Sequence, residues 1–238
     1  MATPSSSPTR AALSLQAPGA ICAMFGRVAA HYDLMNTVMA GGTDLYWKRK
    51  LVQSVRAQLP ARVLDLATGS GDVLLALERG KAYTERAIGA DFCLPMLRQA
   101  QAKHARNLLV GDGLQLPFAD ATFDAVTISW GLRNFADRLA GLREMRRVLR
   151  PGGCAYVLEF SHPAPWLAPL YFWYLRQIMP RYAQFLTPER GAYEYLGESI
   201  RAFPSQTALA TMMTEAGFAS ATWTNLTFGI AALHIARV

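Results

Sequence analysis

The chain has 238 residues, 52% of them apolar, which is ample for burying the core of one domain. Its formal charge of +7 favours contact with an acidic membrane surface, or serves solubility alone. Basic and aromatic residues are not interleaved as they are in single-strand binders, so nucleic acid is not an indicated partner.

The first part of the chain predicts a tail followed by helices. Residues 1–18 are rich in Ser, Ala and Pro, which indicates a flexible tail and no signal peptide. Residues 19–60 predict two helices separated by a Gly-Gly break. The three cysteines, Cys22, Cys93 and Cys154, are far apart and form no CxxC motif. They argue for a reducing, cytoplasmic compartment and against zinc or disulfides.

From residue 61 onwards, short apolar runs alternate with amphipathic runs. This alternation is typical of βαβ units and a parallel sheet. The predicted strands lie within residues 61–68, 86–92, 107–112, 123–130 and 154–160, and the predicted helices within 73–80, 94–105 and 137–149, with a turn at 150–153.

The last third of the chain departs from this alternation. Residues 161–204 predict an inserted, aromatic-rich helical cap. The most apolar segment, 163–180, is interrupted by four prolines and Arg176, whereas a membrane-spanning helix needs ~20 unbroken apolar residues. After a helix at 207–218, two strands at 220–227 and 228–237 are so close that they must pair antiparallel. We therefore expect an α/β domain over 19–238, with a doubly wound, mostly parallel sheet and a C-terminal hairpin.

The stretch "LDLATGSGDV", residues 64–73, contains the end of the first predicted strand and the turn that follows it. In a doubly wound sheet, ligands lie beyond the carboxyl ends of the strands, so Gly69, Ser70 and Gly71 face that crevice. The third glycine of a dinucleotide-binding GxGxxG motif is absent, and so is a phosphate-loop lysine. Asp72 would also repel a diphosphate at this helix terminus. The turn is therefore either structural or the site of a nucleoside without phosphate.

Acidic residues at neighbouring strand ends favour the nucleoside. Asp91 ends the second strand about 20 residues past the glycines, where an acid can accept both ribose hydroxyls. Asp112 in "GDG" ends the third strand, where it can receive an adenine amino group. Together with Asp65 these residues predict a site for S-adenosylmethionine, whose sulfonium is cationic and tolerates nearby acids.

Several longer motifs resemble the C-methyltransferases of ubiquinone and menaquinone biosynthesis. They span residues 25–238 and include "YDLMN" at 32–36, "TFDAVTISWGLRNF" at 122–135, "RVLRPGG" at 147–153, "YLGESIRAFPSQ" at 195–206 and "NLTFGIAALH" at 225–234. The resemblance implies the class I methyltransferase fold with seven strands, S-adenosylmethionine as cofactor and a polyprenylated quinol as substrate. It places cofactor contacts on Ser70, Asp91, Asp112, Gly113 and Ser129.

The chain departs from the family pattern at three places. Ala40 and Asp44 stand where the family usually has Ser and His, and residues 187–191 differ ahead of the "YL" in the cap. These changes leave the identity of the quinol open. Another phenolic or lipid-like substrate is the alternative, and a non-catalytic cofactor-binding module is a further one.

The chemistry of ring methylation suggests four catalytic residues. The ring carbon becomes nucleophilic when the adjacent hydroxyl is deprotonated, and a guanidinium, whose pKa is above ~12, cannot take that proton. We expect Arg133 to hold the phenolate and Asn134 to fix a second oxygen or a water. Tyr32 would complete the site from the N-terminal segment, and Glu159 is a candidate proton acceptor. The aromatic cap would receive the isoprenoid tail at the inner face of an anionic membrane, with a homodimer as one oligomeric state.

Overall fold

The structure is a computed structural model that describes residues 42–178 and 190–238 and the single positions 19, 22, 23, 26 and 37. Only the backbone is described at residues 190–195. Seven strands form one sheet. The strands are β1 (Arg62–Leu66), β2 (Arg86–Asp91), β3 (Leu108–Val110), β4 (Phe123–Ser129), β5 (Leu149–Phe160), β6 (Ser220–Leu226) and β7 (Ala231–Arg237). Their order is β3-β2-β1-β4-β5-β7-β6. The first five are parallel, and β7 pairs antiparallel with both β5 and β6. The predicted parallel sheet and terminal hairpin are confirmed.

Helices cover both faces of this sheet. They are α1 (Thr43–Gln58), α2 (Asp72–Arg79), α3 (Leu94–Ala102), α4 (Arg138–Val148), α5 (Ala168–Trp173), α6 (Arg190–Arg201) and α7 (Gln206–Glu215). Leu142 of α4 and Met213 of α7 are buried in a core cluster on one face. Leu51 of α1 and Leu77 of α2 are buried in a second cluster on the other. The sheet is therefore doubly wound, as expected.

The predicted turn at residues 150–153 is wrong in one respect. Strand β5 begins at Leu149, directly after α4, and contains these residues. Leu149 pairs with Phe123 of β4, yet Cys154 pairs with Ala125, so the register shifts between the two pairs. The extra residues bulge within the strand, and the Gly152 amide donates to the Val238 carbonyl at 3.1 Å. A bulge of this kind lets the strand continue through residues whose composition suggested a separate turn.

The cap region packs on the end of β5. Tyr171 and Leu175 are buried in one apolar cluster with Ile200 of α6, against Phe160 and Ile230. Residues 1–18 and the first predicted helix lie mostly outside the described residues. Within the part of the chain that the structure describes, no helix is long and apolar enough to cross a membrane.

The expectation of no disulfide is wrong. Cys22 and Cys93 are joined by a disulfide across 71 residues of sequence. Cys93 is the N-cap of α3, and the fold brings Cys22 against that helix start. Spacing along the chain does not reveal such proximity. Cys154, in β5, is free and buried.

Candidate active site

A cavity lies at the carboxyl ends of β1, β2 and β4, where the doubly wound topology predicts ligand binding. Six of the predicted site residues line it, namely Asp65, Gly69, Ser70, Asp91, Ser129 and Asn134. The remaining lining residues are Asp44, Lys48, Ala67, Thr68, Asp72, Val73, Phe92, Cys93, Met96, Trp130, Gly131 and Phe135. The six predicted residues make up about a third of the wall.

The glycine turn forms one wall through backbone that other residues adopt poorly. Gly69 and Gly71 have φ of 54° and 79°, in the left-handed region that favours glycine. A Cβ on Gly71 would lie 2.9 Å from the Ala100 Cβ of α3, so a side chain does not fit there. The Thr68 amide donates to the Ala90 carbonyl at 3.1 Å, which fixes the turn to β2. Gly71 supports the turn without lining the cavity itself.

Asp91 holds the turn and the start of α3 together. Its Oδ2 accepts from the Gly69 amide at 2.8 Å, and its Oδ1 accepts from the Cys93 amide at the same distance. Burial raises the pKa of Asp91, although these backbone hydrogen bonds oppose the shift. Each carboxylate oxygen can accept a second hydrogen bond, so the residue retains the capacity to bind hydroxyl groups.

Asp65 lies at the floor of the cavity and is 1% exposed. Its Oδ2 accepts from the Thr68 hydroxyl at 2.6 Å, and its Oδ1 accepts from the Thr127 hydroxyl at 2.7 Å. Burial, opposed by these two hydrogen bonds, raises the pKa of Asp65 to about 6. A carboxylate at this position makes the floor negative above that pH.

The two predicted serines occupy the cavity wall. Ser70 is buried in the glycine turn. Ser129 ends β4, and its buried Oγ has no hydrogen-bond partner among the described residues. A buried hydroxyl without a partner is costly, so a ligand that supplies one would be favoured here.

Asp112 and Gly113 follow β3 but do not line the cavity. Asp112 is exposed, and its Oδ1 accepts from the Leu114 amide at 2.9 Å, closing a local turn. A Cβ on Gly113 would lie 2.4 Å from the Phe135 ring, so glycine lets that cavity-lining ring approach. The predicted adenine contact at Asp112 stays a prediction.

Arg133 forms a buried ion pair with Glu159 beside the cavity. Its Nη1 donates to Glu159 Oε1 at 2.8 Å and to the Trp130 carbonyl at 2.6 Å. The Arg133 amide also donates to Glu159 Oε2 at 3.3 Å. Both oxygens of Glu159 therefore accept hydrogen bonds from Arg133. The role of Glu159 as proton acceptor stays a prediction.

Three aromatic rings pack together beside the cavity. Trp130 lines the cavity and lies 4.5 Å, centroid to centroid, from Phe160 and 5.5 Å from Trp47. The Arg133 guanidinium lies 5.5 Å from the centroid of Phe160. Asn134 follows Arg133 in the 3₁₀ turn Leu132–Asn134 and lines the cavity. Sequence reasoning missed Trp130, because a lone tryptophan at a strand end has no distinctive spacing. Tyr32 lies outside the described residues.

Asp44 and Lys48 enter the cavity wall from α1. The departure at Asp44 therefore lies beside the glycine turn. Ala40 lies outside the described residues. Across the part of the chain that the structure describes, no group of three or more His, Cys, Asp or Glu is arranged to hold a metal ion.

Comparison with known proteins places the chain among methyltransferases. A family model described as the ubiE/COQ5 methyltransferase family matches residues 16–237. The demethylmenaquinone methyltransferase of Mycobacterium marinum is 46% identical over 229 residues, which cover 95% of this chain and 96% of that protein. The demethylmenaquinone methyltransferase of Corynebacterium kroppenstedtii is 44% identical over 220 residues, covering 92% and 94%.

The fold has counterparts among solved structures. An S-adenosylmethionine-dependent methyltransferase of Thermotoga maritima superposes with a TM-score of 0.64 at 18% identity, covering 90% of this chain and 98% of that one. That likeness concerns the fold alone. The family match over nearly the whole sequence identifies the enzyme class and the cofactor, S-adenosylmethionine. The chain belongs to the ubiE/COQ5 methyltransferase family.

Proposed function

We propose that this enzyme transfers the methyl group of S-adenosylmethionine to a ring carbon of a polyprenylated quinol, converting a demethylmenaquinol into a menaquinol. A ubiquinone precursor is the second head group considered. The observation that carries the proposal is the buried Arg133 guanidinium, held 2.8 Å from Glu159 and adjacent in sequence to cavity-lining Asn134. The names of the relatives that are about 45% identical support the choice of menaquinol.

The residues of the cavity fit the cofactor. Asp91 offers lone pairs for ribose hydroxyls, and the unpartnered Ser129 hydroxyl offers a further hydrogen bond. The glycine turn admits a close ligand, and the carboxylate of Asp65 suits a positively charged one. When bound, S-adenosylmethionine supplies an electrophilic methyl group. Asp112 and Gly113 remain the proposed adenine contacts.

Arg133 would stabilise the phenolate that makes the ring carbon nucleophilic. The bound cofactor would supply the methyl group to the ring carbon with loss of its sulfur–methyl bond, and the ring proton would leave to water. A guanidinium fixed in a buried position needs no reorganisation as charge develops on the phenolate oxygen. Glu159 holds the guanidinium through Oε1 and the Arg133 backbone amide through Oε2. Asn134 would orient the second oxygen or the water, and Trp130 would exclude bulk solvent.

Exposed aromatic and aliphatic side chains near the cap support membrane contact. Trp166, Leu170, Trp173 and Phe228 are 69%, 60%, 49% and 66% exposed. The rings of Trp166 and Phe228 touch edge to face, with centroids 5.5 Å apart, so the loop before α5 and the loop before β7 form one patch. We call these four residues the aromatic patch. With the net charge of +7 it would hold the enzyme on the cytoplasmic face of an anionic membrane, where the quinol tail resides. The homodimer stays a prediction.

Product identification tests the proposed function. The protein is incubated with methyl-deuterated S-adenosylmethionine and either reduced demethylmenaquinone or a reduced ubiquinone precursor in lipid micelles. We expect a deuterated methyl group on a ring carbon of the menaquinol product, located by fragmentation and NMR. Methylation of an oxygen, or of the ubiquinone precursor alone, would contradict the proposal.

A further inference from the structure

Two charged side chains of α1 line the cofactor cavity one helical turn apart. Asp44 is 4% exposed, and Lys48 lies four residues later on the same face, with its Nζ 3.0 Å from Asp44 Oδ2. The Thr37 hydroxyl donates to the same Oδ2 at 3.1 Å. Asp44 Oδ1, however, is buried and has no hydrogen-bond partner among the described residues. A buried carboxyl oxygen without a partner indicates a missing cationic or hydrogen-bonding ligand.

We propose that Asp44 and Lys48 form the subsite for the amino-acid end of S-adenosylmethionine. Asp44 Oδ1 accepts a hydrogen bond from the α-ammonium group, and Lys48 Nζ donates to the α-carboxylate. The inference rests on the proposed use of this cavity for the cofactor. It is independent of which molecule receives the methyl group.

The other acids of the cavity are less suited to an ammonium ligand. Both oxygens of Asp65 accept threonine hydroxyls, and both oxygens of Asp91 accept backbone amides. Asp72 is bound at Oδ2 by Lys48 and at Oδ1 by Lys103, at 2.9 and 2.8 Å. Of the four carboxylates in the wall, Asp44 alone retains an oxygen with no partner among the described residues.

The position of Lys48 agrees with this assignment. Its hydrogen bond to Asp72, the first residue of α2, places its ammonium group next to the end of the glycine turn. Asp91 holds the other end of the turn through the Gly69 amide. A nucleoside whose ribose lies on Asp91 would therefore extend its amino-acid chain along the turn towards α1.

The charges of the pair complement a zwitterion. Lys48 Nζ has three N–H groups, of which two are directed to Asp44 and Asp72, leaving one for a ligand carboxylate. Burial would lower the pKa of Lys48, but Asp72 and Asp44 outweigh burial and raise it. The ammonium therefore stays charged at neutral pH. Opposite charges one turn apart match the ammonium and carboxylate of one α-carbon.

Ligand truncation combined with substitution tests the subsite. Dissociation constants are measured by calorimetry for four ligands: S-adenosylhomocysteine, 5′-methylthioadenosine, S-adenosylmethionine and decarboxylated S-adenosylmethionine. Of these, 5′-methylthioadenosine lacks both the ammonium and the carboxylate group. We expect Lys48→Met and Asp44→Asn to weaken S-adenosylhomocysteine about 10- to 100-fold, the range for losing a hydrogen bond to a charged group. Both variants should bind 5′-methylthioadenosine as the wild type does. Lys48→Met should also lose the wild-type preference for the carboxylated ligand.

Lys50→Met is the matched control, because Lys50 is an exposed lysine of the same helix that lies over the Tyr46 ring. It should leave all four affinities unchanged. Equal weakening of every ligand by Lys48→Met, or equal wild-type affinity for S-adenosylhomocysteine and 5′-methylthioadenosine, would overturn the inference. If one variant fails to fold, the other still tests the subsite, and the wild-type comparison still tests whether the amino-acid end of the ligand contributes to binding. A protein that discriminates these ligands yet methylates no quinol would retain the subsite and refute the proposed function.

Discussion

Glu159 holds the backbone amide and the guanidinium of Arg133 at the same time, with its Oε2 3.3 Å from the amide nitrogen and its Oε1 2.8 Å from Nη1. The two residues lie on different elements, β5 and the 3₁₀ turn after β4. One carboxylate therefore fixes both the turn and the cation that it carries. The pair is buried, so removing either partner leaves an uncompensated charge.

Loss of the Glu159 charge should reduce turnover more than cofactor binding. Glu159→Gln keeps the shape and a hydrogen-bond acceptor, but the guanidinium is less firmly held. We expect kcat to fall about 10- to 100-fold while the dissociation constant of S-adenosylhomocysteine changes less than about threefold. Steady-state kinetics and calorimetry check this result. Glu159→Asp should restore part of kcat, and a variant with unchanged kcat would show that the ion pair serves stability alone.

Removing the guanidinium should have a larger effect on the chemical step. Arg133→Ala is expected to lower kcat about 10²- to 10³-fold, since one donor aimed at an oxyanion is worth about 3–4 kcal/mol. It also leaves Glu159 buried without a partner, so the Arg133→Ala/Glu159→Ala double variant is the stability control. Single-turnover methylation and thermal melting measure the two effects separately. Loss of S-adenosylhomocysteine binding in the double variant would contradict the assignment of Arg133 to the substrate side.

Local features of the fold were predictable from the sequence, whereas contacts between distant elements were not. The strands, the helices and the acids at the strand ends were predictable, because periodicity and the spacing from Gly69 to Asp91 are local patterns. The wall formed by α1 was not, since the contact of Lys48 with Asp72 depends on how two helices dock. The Arg133–Glu159 pair likewise spans 26 residues and two elements. Long-range contacts of this kind leave no periodic signal.

The carboxyl of Asp65 should make cofactor affinity depend on pH. Burial raises its pKa to about 6 from an ordinary value of 3.8, so the cofactor-free protein protonates this group as the pH falls through 6. A cationic cofactor favours the ionised form. Affinity for S-adenosylmethionine should therefore fall as the pH drops below 6, by up to about tenfold per pH unit. Calorimetry between pH 5 and 8 measures this.

Asp65→Asn provides the control for that dependence. In the cofactor-free wild type the folded state binds more protons than the unfolded state between about pH 4 and 6, because the folded pKa is the higher one. The contribution of Asp65 to the free energy of unfolding should thus increase as the pH falls through this window, opposite in sign to the change in affinity. The difference between wild type and Asp65→Asn isolates both effects. Identical pH profiles in the two proteins would refute the assignment.

Gly131 allows the turn after β4 to approach the turn after β1. A Cβ at this position would lie 2.6 Å from the Ala67 Cβ and 3.2 Å from a side-chain carbon of Ile128. Gly131→Ala should push the two cavity walls apart, costing about 1–3 kcal/mol in stability and weakening S-adenosylhomocysteine binding. Chemical denaturation and calorimetry measure the two. Gly197→Ala, where the added carbon meets no described atom within 4 Å, should leave binding unchanged.

The aromatic patch should determine membrane association. Replacing Trp166 and Phe228 together by Ser removes two rings that touch each other and are largely exposed, so the folded core loses little. We expect the variant to sediment several-fold less with vesicles containing anionic lipid, because burying each ring in the interface contributes about 1.5–3 kcal/mol. Its methylation of a quinol with a long tail in vesicles should fall, while methylation of a short-chain analogue in solution should not.

Trp223→Ser is the matched control for the patch, since Trp223 is 40% exposed on β6 and stacks on His234. It should sediment like the wild type. High salt should weaken the association of both proteins, because the net charge of +7 contributes a screened attraction to the anionic surface. The Trp166→Ser/Phe228→Ser variant should still differ from the control in high salt, where burial of the rings is the remaining attraction. Equal sedimentation of the two variants at every salt concentration would assign the association to charge alone and remove the patch from it.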